Sequence, residues 1–344
     1  KELYNKFSYI VKFLKEHITN YYNKKSEYTS IPYNFSISST DECLKKLDYL
    51  NKSQIPVQNI WTRDIKNMFM SFTFEKIMDS MTKIIKLCFK NSDKDYICVR
   101  YNFCFYTNDK TENGLYLTKN ELCQLVSDII SNSFISIAGL IFHQKQGVSM
   151  GSSYSPTICD LICMHYENTY MDSNNFNIFR TFPPLRYADD ILLFNTKLNN
   201  YGEIYPSCLI FEENEEEQGD KVHYLDLEIT IVQRKLHIKH YSKLDHLNII
   251  IIPLVPPDTN VKNSMVKNII YSQLLRFYKI NSSFSDFLNT SIKYLEKYHA
   301  LDYNNFLLLK AVSNFVYINL NLIRLKYSIN YEPKSLIKSI FCEH

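Results

Sequence analysis

One stretch constrains this chain more than any other: Leu185-Arg186-Tyr187-Ala188-Asp189-Asp190-Ile191-Leu192-Leu193-Phe194. Short apolar runs flank two adjacent carboxylates. In an extended strand neighbouring side chains point to opposite faces, so both acids reach one cleft only if the chain turns between them. The pattern predicts two strands joined by a tight turn, with negative charge at a fixed edge of a buried sheet. A hard cation is the natural neutraliser of such a pair. A bare Asp-Asp pair is also what a solvated turn looks like, so the apolar flanks carry the inference.

Holding two metal ions about 3.5–4 Å apart requires a further carboxylate. Asp64 is the candidate, in Ile60-Trp61-Thr62-Arg63-Asp64-Ile65-Lys66-Asn67-Met68-Phe69. It ends an apolar strand just before a helix. Taken alone it reads equally well as a helix N-terminal charge. Between the two acidic segments lies Gln146-Gly147-Val148-Ser149-Met150-Gly151-Ser152-Ser153-Tyr154-Ser155-Pro156, which holds two of the six glycines in the chain. Glycine lets backbone approach a ligand closely, and proline suits the first turn of a helix. A backbone-lined loop at a helix start is a seat for a phosphate or a base; its plain alternative is an ordinary loop and cap.

Composition excludes several classes. With 45% hydrophobic and 22% charged residues the chain is globular rather than disordered, and 344 residues suit two or three subdomains. The net charge is only +3, so nucleic-acid binding would need its cations gathered in a cleft or on one face. Nine cysteines follow no paired framework. Cys159 and Cys163, with His165 nearby, lack a second pair at zinc-ligand spacing. Buried reduced thiols, and with them an intracellular reducing compartment, nuclear or cytoplasmic, are expected. The most apolar run, 247–256, is too short to span a bilayer and is broken by prolines, so no membrane is expected. The N-terminus has no signal-peptide pattern. The chain begins with Lys1 rather than Met, as a piece of something larger would.

Periodicity predicts helices over 1–25, 40–51, 73–89, 118–131 and 155–171, with Thr118 and Glu121 at capping-box spacing. Strands are expected over 57–65, 135–142, 207–211 and 222–232, a strand or hairpin arm over 96–106, and two strands with a tight turn over 185–195, with 235–241 pairing back on 222–232. Segment 212–220 reads as a solvated acidic turn, and helices follow from Val261. The fold class is α+β with a helical tail. Divisions are expected at 1–55, a helical region; 56–245, carrying the acidic and glycine motifs; and 246–344, helical.

Taken in order, the Asp64 strand, the Gln146-Gly147 loop with its Ser155-Pro156 helix, and the Tyr187-Ala188-Asp189-Asp190 hairpin resemble the signature of reverse transcriptases. The match looks closest to the reverse-transcriptase domain of Penelope-like retroelements, relatives of telomerase. Met150-Gly151-Ser152, Glu167, Phe105-Tyr106-Thr107 and Leu117-Thr118 resemble that family's central segments. His223-Tyr224-Leu225-Asp226-Leu227-Glu228-Ile229 resembles its primer-grip strand, and Val261 to Tyr298 its thumb. The resemblance covers about residues 36–320; its first three elements are specific in combination, and the thumb is softer.

The resemblance implies a right-hand polymerase: a palm with a ferredoxin-like antiparallel sheet and helices, a helical thumb, and partial fingers before residue 56. It implies that Asp64, Asp189 and Asp190, with the Ile65 carbonyl, hold two Mg²⁺ or Mn²⁺ ions. Phe69 matches the aromatic residue that excludes a ribose 2′-hydroxyl. Gln146, Gly147 and Gly151 match the nucleotide-binding loop, and Lys221 a proton donor to pyrophosphate. Tyr187, Tyr224, Leu225, Lys262, Lys267 and Arg276 would meet primer and template. The implied partners are an RNA template, a DNA or RNA primer and dNTPs. The family's Arg-Pro-Ile segment, which grips the triphosphate, has no counterpart in residues 1–63, so the fingers are expected in an upstream segment or on another chain that completes the polymerase, or to be lost. A second reading is a domesticated fold serving as a nucleic-acid-binding scaffold in a larger complex. A third, an RNA-directed RNA polymerase, fits less well, because those enzymes usually carry Gly before Asp-Asp and a smaller sugar contact than Phe69.

Overall fold

The computed structural model describes residues 2–341 apart from 30–32, 54, 112, 174–178, 180–181, 196–200, 213–217, 247–255 and 258. The chain divides into two compact units, one of Lys1–Ser39 with Asn59–Gln218 and one of Thr40–Gln58 with Gly219–His344. Helix α1 (Glu2–Thr29) opens the first and α2 (Thr40–Lys52) opens the second. The first continues through β1 (Ile60–Lys66), α3 (Met68–Ser71), α4 (Phe74–Ser92), β2 (Tyr96–Arg100), β3 (Phe103–Thr107), β4 (Leu115–Thr118) and α5 (Lys119–Ser131). Then come β5 (Phe134–Ile137), β6 (Leu140–His143), α6 (Ser155–Asp172), β7 (Leu185–Tyr187), β8 (Asp190–Phe194) and β9 (Ile210–Glu212). The two-residue β10 (Gln218–Gly219) straddles the division. The second unit holds β11 (Lys221–Tyr224), β12 (Leu227–Val232), β13 (Lys235–His240), α7 (Asn263–Ile280), α8 (Phe284–His299), α9 (Asn305–Tyr327) and α10 (Pro333–Phe341).

In the first unit β1 runs antiparallel to β8, Ile60 opposite Phe194 through Asp64 opposite Asp190. Its last residues pair with β9, and β7 pairs with β8. Phe7, Ile10, Val11, Leu14 and Ile18 of α1 recur at three- and four-residue spacing and are all buried. That places one stripe of the helix on the core. Helix α6 is apolar on nearly every side, with Ile158, Cys159, Leu161, Ile162, Cys163 and Met164 buried, and so runs through the interior rather than over it. Burying each large side chain is worth about 1.5–3 kcal/mol. The predicted capping box closes: the Glu121 N–H donates to the Thr118 hydroxyl at 3.3 Å, and the Thr118 N–H donates to the Glu121 carboxylate at 2.8 Å.

In the second unit β11, β12 and β13 form an antiparallel sheet. Asn51 of α2 binds β13 as a strand would, its amide donating to the Leu236 carbonyl and accepting from the Leu236 N–H, both at 2.8 Å. The turn between α7 and α8 docks on the same strand: the Ser282 N–H donates to the Ile238 carbonyl at 2.8 Å and the His240 N–H donates to the Asn281 side chain at 3.0 Å. Helices α7 to α10 enclose a second core that includes Ile270, Leu274, Phe287, Phe315 and Leu336. Among the described helices α9 alone is long and apolar enough to cross a membrane. However, Leu308, Val312, Phe315 and Ile323 bury one of its faces in this core.

Three expected strands are hairpins. Segment 96–106 reverses at Tyr101-Asn102, with Tyr101 at φ 52°, so β2 and β3 pair with each other. Segment 135–142 reverses at Ala138 and Gly139, both with positive φ (51° and 81°), so β5 and β6 pair with each other. Segment 222–232 reverses at Leu225-Asp226, with Leu225 at φ 58°. A leucine in the left-handed region gives no turn signal in the sequence. Most of the apolar run 247–256, and the middle of the acidic turn, lie outside the described residues.

Candidate active site

The pairing of β1 with β8 puts Asp64 directly opposite Asp190. Facing residues of an antiparallel pair have Cβ atoms about 4.5–5.5 Å apart. Tyr187 pairs with Asp190, leaving Ala188 and Asp189 as a two-residue loop. Ala188 takes φ 52°, a conformation that suits hairpin turns but costs a residue with a Cβ. The Ile65 N–H donates to the Asp189 carbonyl at 3.0 Å, so the turn is fastened to the strand that carries Asp64. All three aspartates are half-buried, and Tyr187 is exposed. Among the described residues no three His, Cys, Asp or Glu side chains stand grouped tightly enough to hold a metal. The backbone juxtaposes Asp64 with Asp190 and sets Asp189 beside them. Carboxylate oxygens in such an arrangement are the donor type that Mg²⁺ and Mn²⁺ take.

Beneath the turn is a charged cluster that sequence reasoning overlooked. Arg186 is fully buried. Its guanidinium contacts Glu167 at 2.5 Å and Asp160 at 2.7 Å, and donates to the Ala188 carbonyl at 3.1 Å. Tyr205 donates its hydroxyl to Glu167 at 2.8 Å, Ser36 donates to Asp160 at 3.0 Å, and Lys15 of α1 also pairs with Asp160. Two cations thus meet two anions. Burial pushes the Asp160 carboxyl up, but the Arg186 and Lys15 charges outweigh it and hold the group below the usual carboxylate range. Burial likewise works against the Arg186 charge, and Glu167 and Asp160 more than offset it. An arginine inside an apolar strand and an aspartate inside an apolar helix were the available signals, since buried charges are almost always paired.

The glycine loop sits on the segment that follows Asp64. The Gly147 N–H donates to the Phe72 carbonyl at 2.9 Å and the Val148 N–H to the Phe69 carbonyl at 2.7 Å. Gly147 has φ 80°, and a Cβ there would meet the Phe69 oxygen at 2.5 Å. Only glycine fits without displacing backbone. Gln146 donates to the Ser71 carbonyl at 3.3 Å. The Phe69 ring is half-buried against the core. Gly151 differs: it has no left-handed φ, and nothing lies within 4 Å of a Cβ there. Cys159 and Cys163 are buried on α6, and burial pushes the Cys159 thiol up to about 12.

The remaining expected residues belong to the second unit. Tyr224 is buried and precedes the Leu225-Asp226 turn. Arg276 donates from two nitrogens to Asp226 at 3.0 and 2.6 Å, which commits it to that turn. Lys262 immediately precedes α7 and is exposed, and Lys267 is half-buried on the helix. Lys221 pairs with Glu228 at 3.0 Å.

No family model and no curated protein matches the chain. Solved structures do. Telomerase from Candida albicans, in complex with a TWJ fragment of telomeric RNA, matches with TM-score 0.62 and 14% identity, covering 97% of this chain and 55% of that one. Apo telomerase from Candida tropicalis matches with TM-score 0.48 and 14% identity, covering 96% and 54%. The chain spans about half the length of these telomerase chains. The fold is similar to that of the Candida albicans telomerase chain: mixed α and β, with antiparallel sheets and helices.

Proposed function

We propose that the chain is the polymerase core of an RNA-directed DNA polymerase, joining dNTPs to a primer 3′-hydroxyl along an RNA template. The first unit would then supply a palm and the second a helical thumb. The motifs quoted above favour a Penelope-like reverse transcriptase within this fold. The observation that carries the reading is Asp64 opposite Asp190, with Asp189 in the adjoining turn. Acids so placed, backed by the Arg186 cluster that fixes the turn, have a use in binding cations and little in a solvated loop.

In this reading Asp64, Asp189 and Asp190, with the Ile65 carbonyl, hold Mg²⁺ or Mn²⁺. Bound there, the ions would acidify the primer hydroxyl and offset charge on the departing pyrophosphate. The protein's own contribution is positional. Gly147 brings its loop onto the Phe69 segment, so nucleotide loop and sugar contact share one rigid support. A ring at position 69 leaves no room for a 2′-oxygen. Lys262 and Lys267 meet phosphates of the primer–template, while Arg276 positions the Tyr224–Leu227 turn through Asp226. Base pairing supplies sequence choice.

Primer extension on an RNA template with dNTPs and Mg²⁺ or Mn²⁺ tests this. Extension is expected, and Asp64→Asn or Asp189→Asn should lower it about a thousandfold or more, the equivalent of several kcal/mol of lost charge stabilisation, with no change in melting. Phe69→Ala should raise rNTP use relative to dNTP. A folded protein that binds primer–template and never extends it, alone or with an upstream segment supplied, would instead favour the scaffold reading.

A further inference from the structure

The sheet β3–β2–β4 of the first unit has two unlike faces. Ile97, Val99, Cys104 and Tyr106 pack into the core. Facing residues of an antiparallel pair share a side. The register of Arg100 with Phe103 and of Cys98 with Phe105 therefore puts both phenylalanines on the side away from the core. Their rings stack, with centroids 6.0 Å apart and planes at 29°. Phe103 is 56% exposed, Phe105 is half-buried behind it, and Tyr101 at the hairpin tip is 80% exposed. Tyr96, on the same side, is already covered by the Lys110 ammonium, 4.3 Å from its ring centre. The open aromatic surface is thus that of Phe103 and the tip.

Where β2 begins and β4 ends, this side meets a cavity of about 500 Å³ whose lining includes Tyr96, Thr118, Lys86, Lys90, Lys94 and Lys119. All four lysines are exposed, and none makes an ion pair or a side-chain hydrogen bond among the described residues. Asp95 is the single acid on the lining. Two of the placements cost the fold. Lys86 and Lys90 stand four apart on α4 and repel each other. Lys119 is the first residue of α5, where a helix disfavours a cation. Phe103 faces Arg100, four residues along β2 from Tyr96, a distance of about 14 Å. That is the rise of about four stacked nucleotides, so one short strand reaches the ring and the lysines together.

Unpaired ammonium charge calls for a polyanion, and an exposed ring for a flat apolar face. A single-stranded nucleic acid offers both, whereas a duplex keeps its base faces to itself and an acidic peptide supplies the charge alone. We propose that this surface binds single-stranded nucleic acid, with phosphates on Lys86, Lys90, Lys94 and Lys119 and bases against Phe103 and Tyr101. It shares no residue with the aspartate turn, the glycine loop or the second unit, and it does not depend on the polymerase reading.

The test uses the whole chain in EDTA, so that neither metal nor synthesis enters; a protein that never extends a primer can pass it, and one that extends can fail it. A labelled twelve-residue oligouridine or oligothymidine should bind saturably by fluorescence anisotropy. Strands carrying 5-iodouracil should cross-link to the peptide that holds Tyr101 and Phe103. Phe103→Ala should weaken binding about fivefold or more with an unchanged melting temperature. Lys86→Gln with Lys90→Gln should raise the strand concentration that half-saturates the cross-link and reduce its slope against log salt by about 1.4, the share of two phosphates on a single strand. Should a variant lose its fold, the cross-link map of the parent decides. The proposal is overturned by an absence of saturable binding, by cross-links that miss β2, β3 and β4, or by a folded lysine variant that half-saturates as the parent does. It is equally overturned by a duplex that cross-links at Phe103 as well as the single strand, or by binding of polyglutamate or phosphatidylserine vesicles but of no oligonucleotide.

Discussion

Gly147 and Gly151 sit in one loop and are four residues apart, yet they answer to different forces. At Gly147 a methyl group would collide with the Phe69 carbonyl and with Met70 Cα, and φ is left-handed. Gly147→Ala should cost about 2–4 kcal/mol, the combined effect of backbone strain and overpacking. Gly151→Ala meets open space and should stay within about 0.5 kcal/mol of the parent. Urea titration of both variants measures the contrast. Arg186 allows a sharper prediction. Arg186→Met leaves Glu167 and Asp160 buried with their main counter-charge gone, and should destabilise by about 3–5 kcal/mol, read from the shift of the urea midpoint. Ala188→Gly should act in the opposite direction, stabilising by up to about 1 kcal/mol, because glycine adopts positive φ without a Cβ penalty; the melting temperature reports it.

Among the elements, the β11–β13 sheet carries a pH signature. Glu228 sits among Lys239 and Lys221, which outweigh the cost of burial and hold its carboxyl at about 2. A group whose folded value is depressed lends stability above its ordinary value and loses it as pH falls. The second unit should therefore weaken as pH drops from about 4.5 toward 2, and Glu228→Gln should flatten that part of the profile; chemical denaturation at stepped pH checks it. Elements with strong local signals were legible in the sequence. The Thr118–Glu121 box, the Ser155-Pro156 helix start and the apolar stripe of α1 all formed where residue chemistry indicated. Reversals made by unconventional residues were not legible. Ala138 and Leu225 adopt left-handed turns because strand pairing on both sides compels them. Candidate-site residues followed the same division: the turn at Asp189 and Asp190 was legible from alternation and apolar flanks, Asp64 entered only through the order of the motifs, and the Arg186 cluster depends on contacts across 19 and 26 residues that no local pattern records.

For the molecule as a whole, a net charge of +3 means that any affinity for nucleic acid rests on a few placed cations rather than a general field. Lys262→Gln and Lys267→Gln should each weaken primer–template binding and reduce the slope of log K against log salt by about 1; a salt titration of fluorescence anisotropy measures this, and an unchanged slope removes those lysines from the interface. The charge balance under the aspartate turn has a consequence for how short such a chain can be made. Lys15 belongs to the first helix, far in sequence from the residues it neutralises, and it makes the account of two positive and two negative groups come out even. Trimming the N-terminus past that point would leave an excess anion sealed below the loop that bears Asp189. A shortened version would then hold the Ala188-Asp189 turn less firmly, with no alteration of the aspartates themselves.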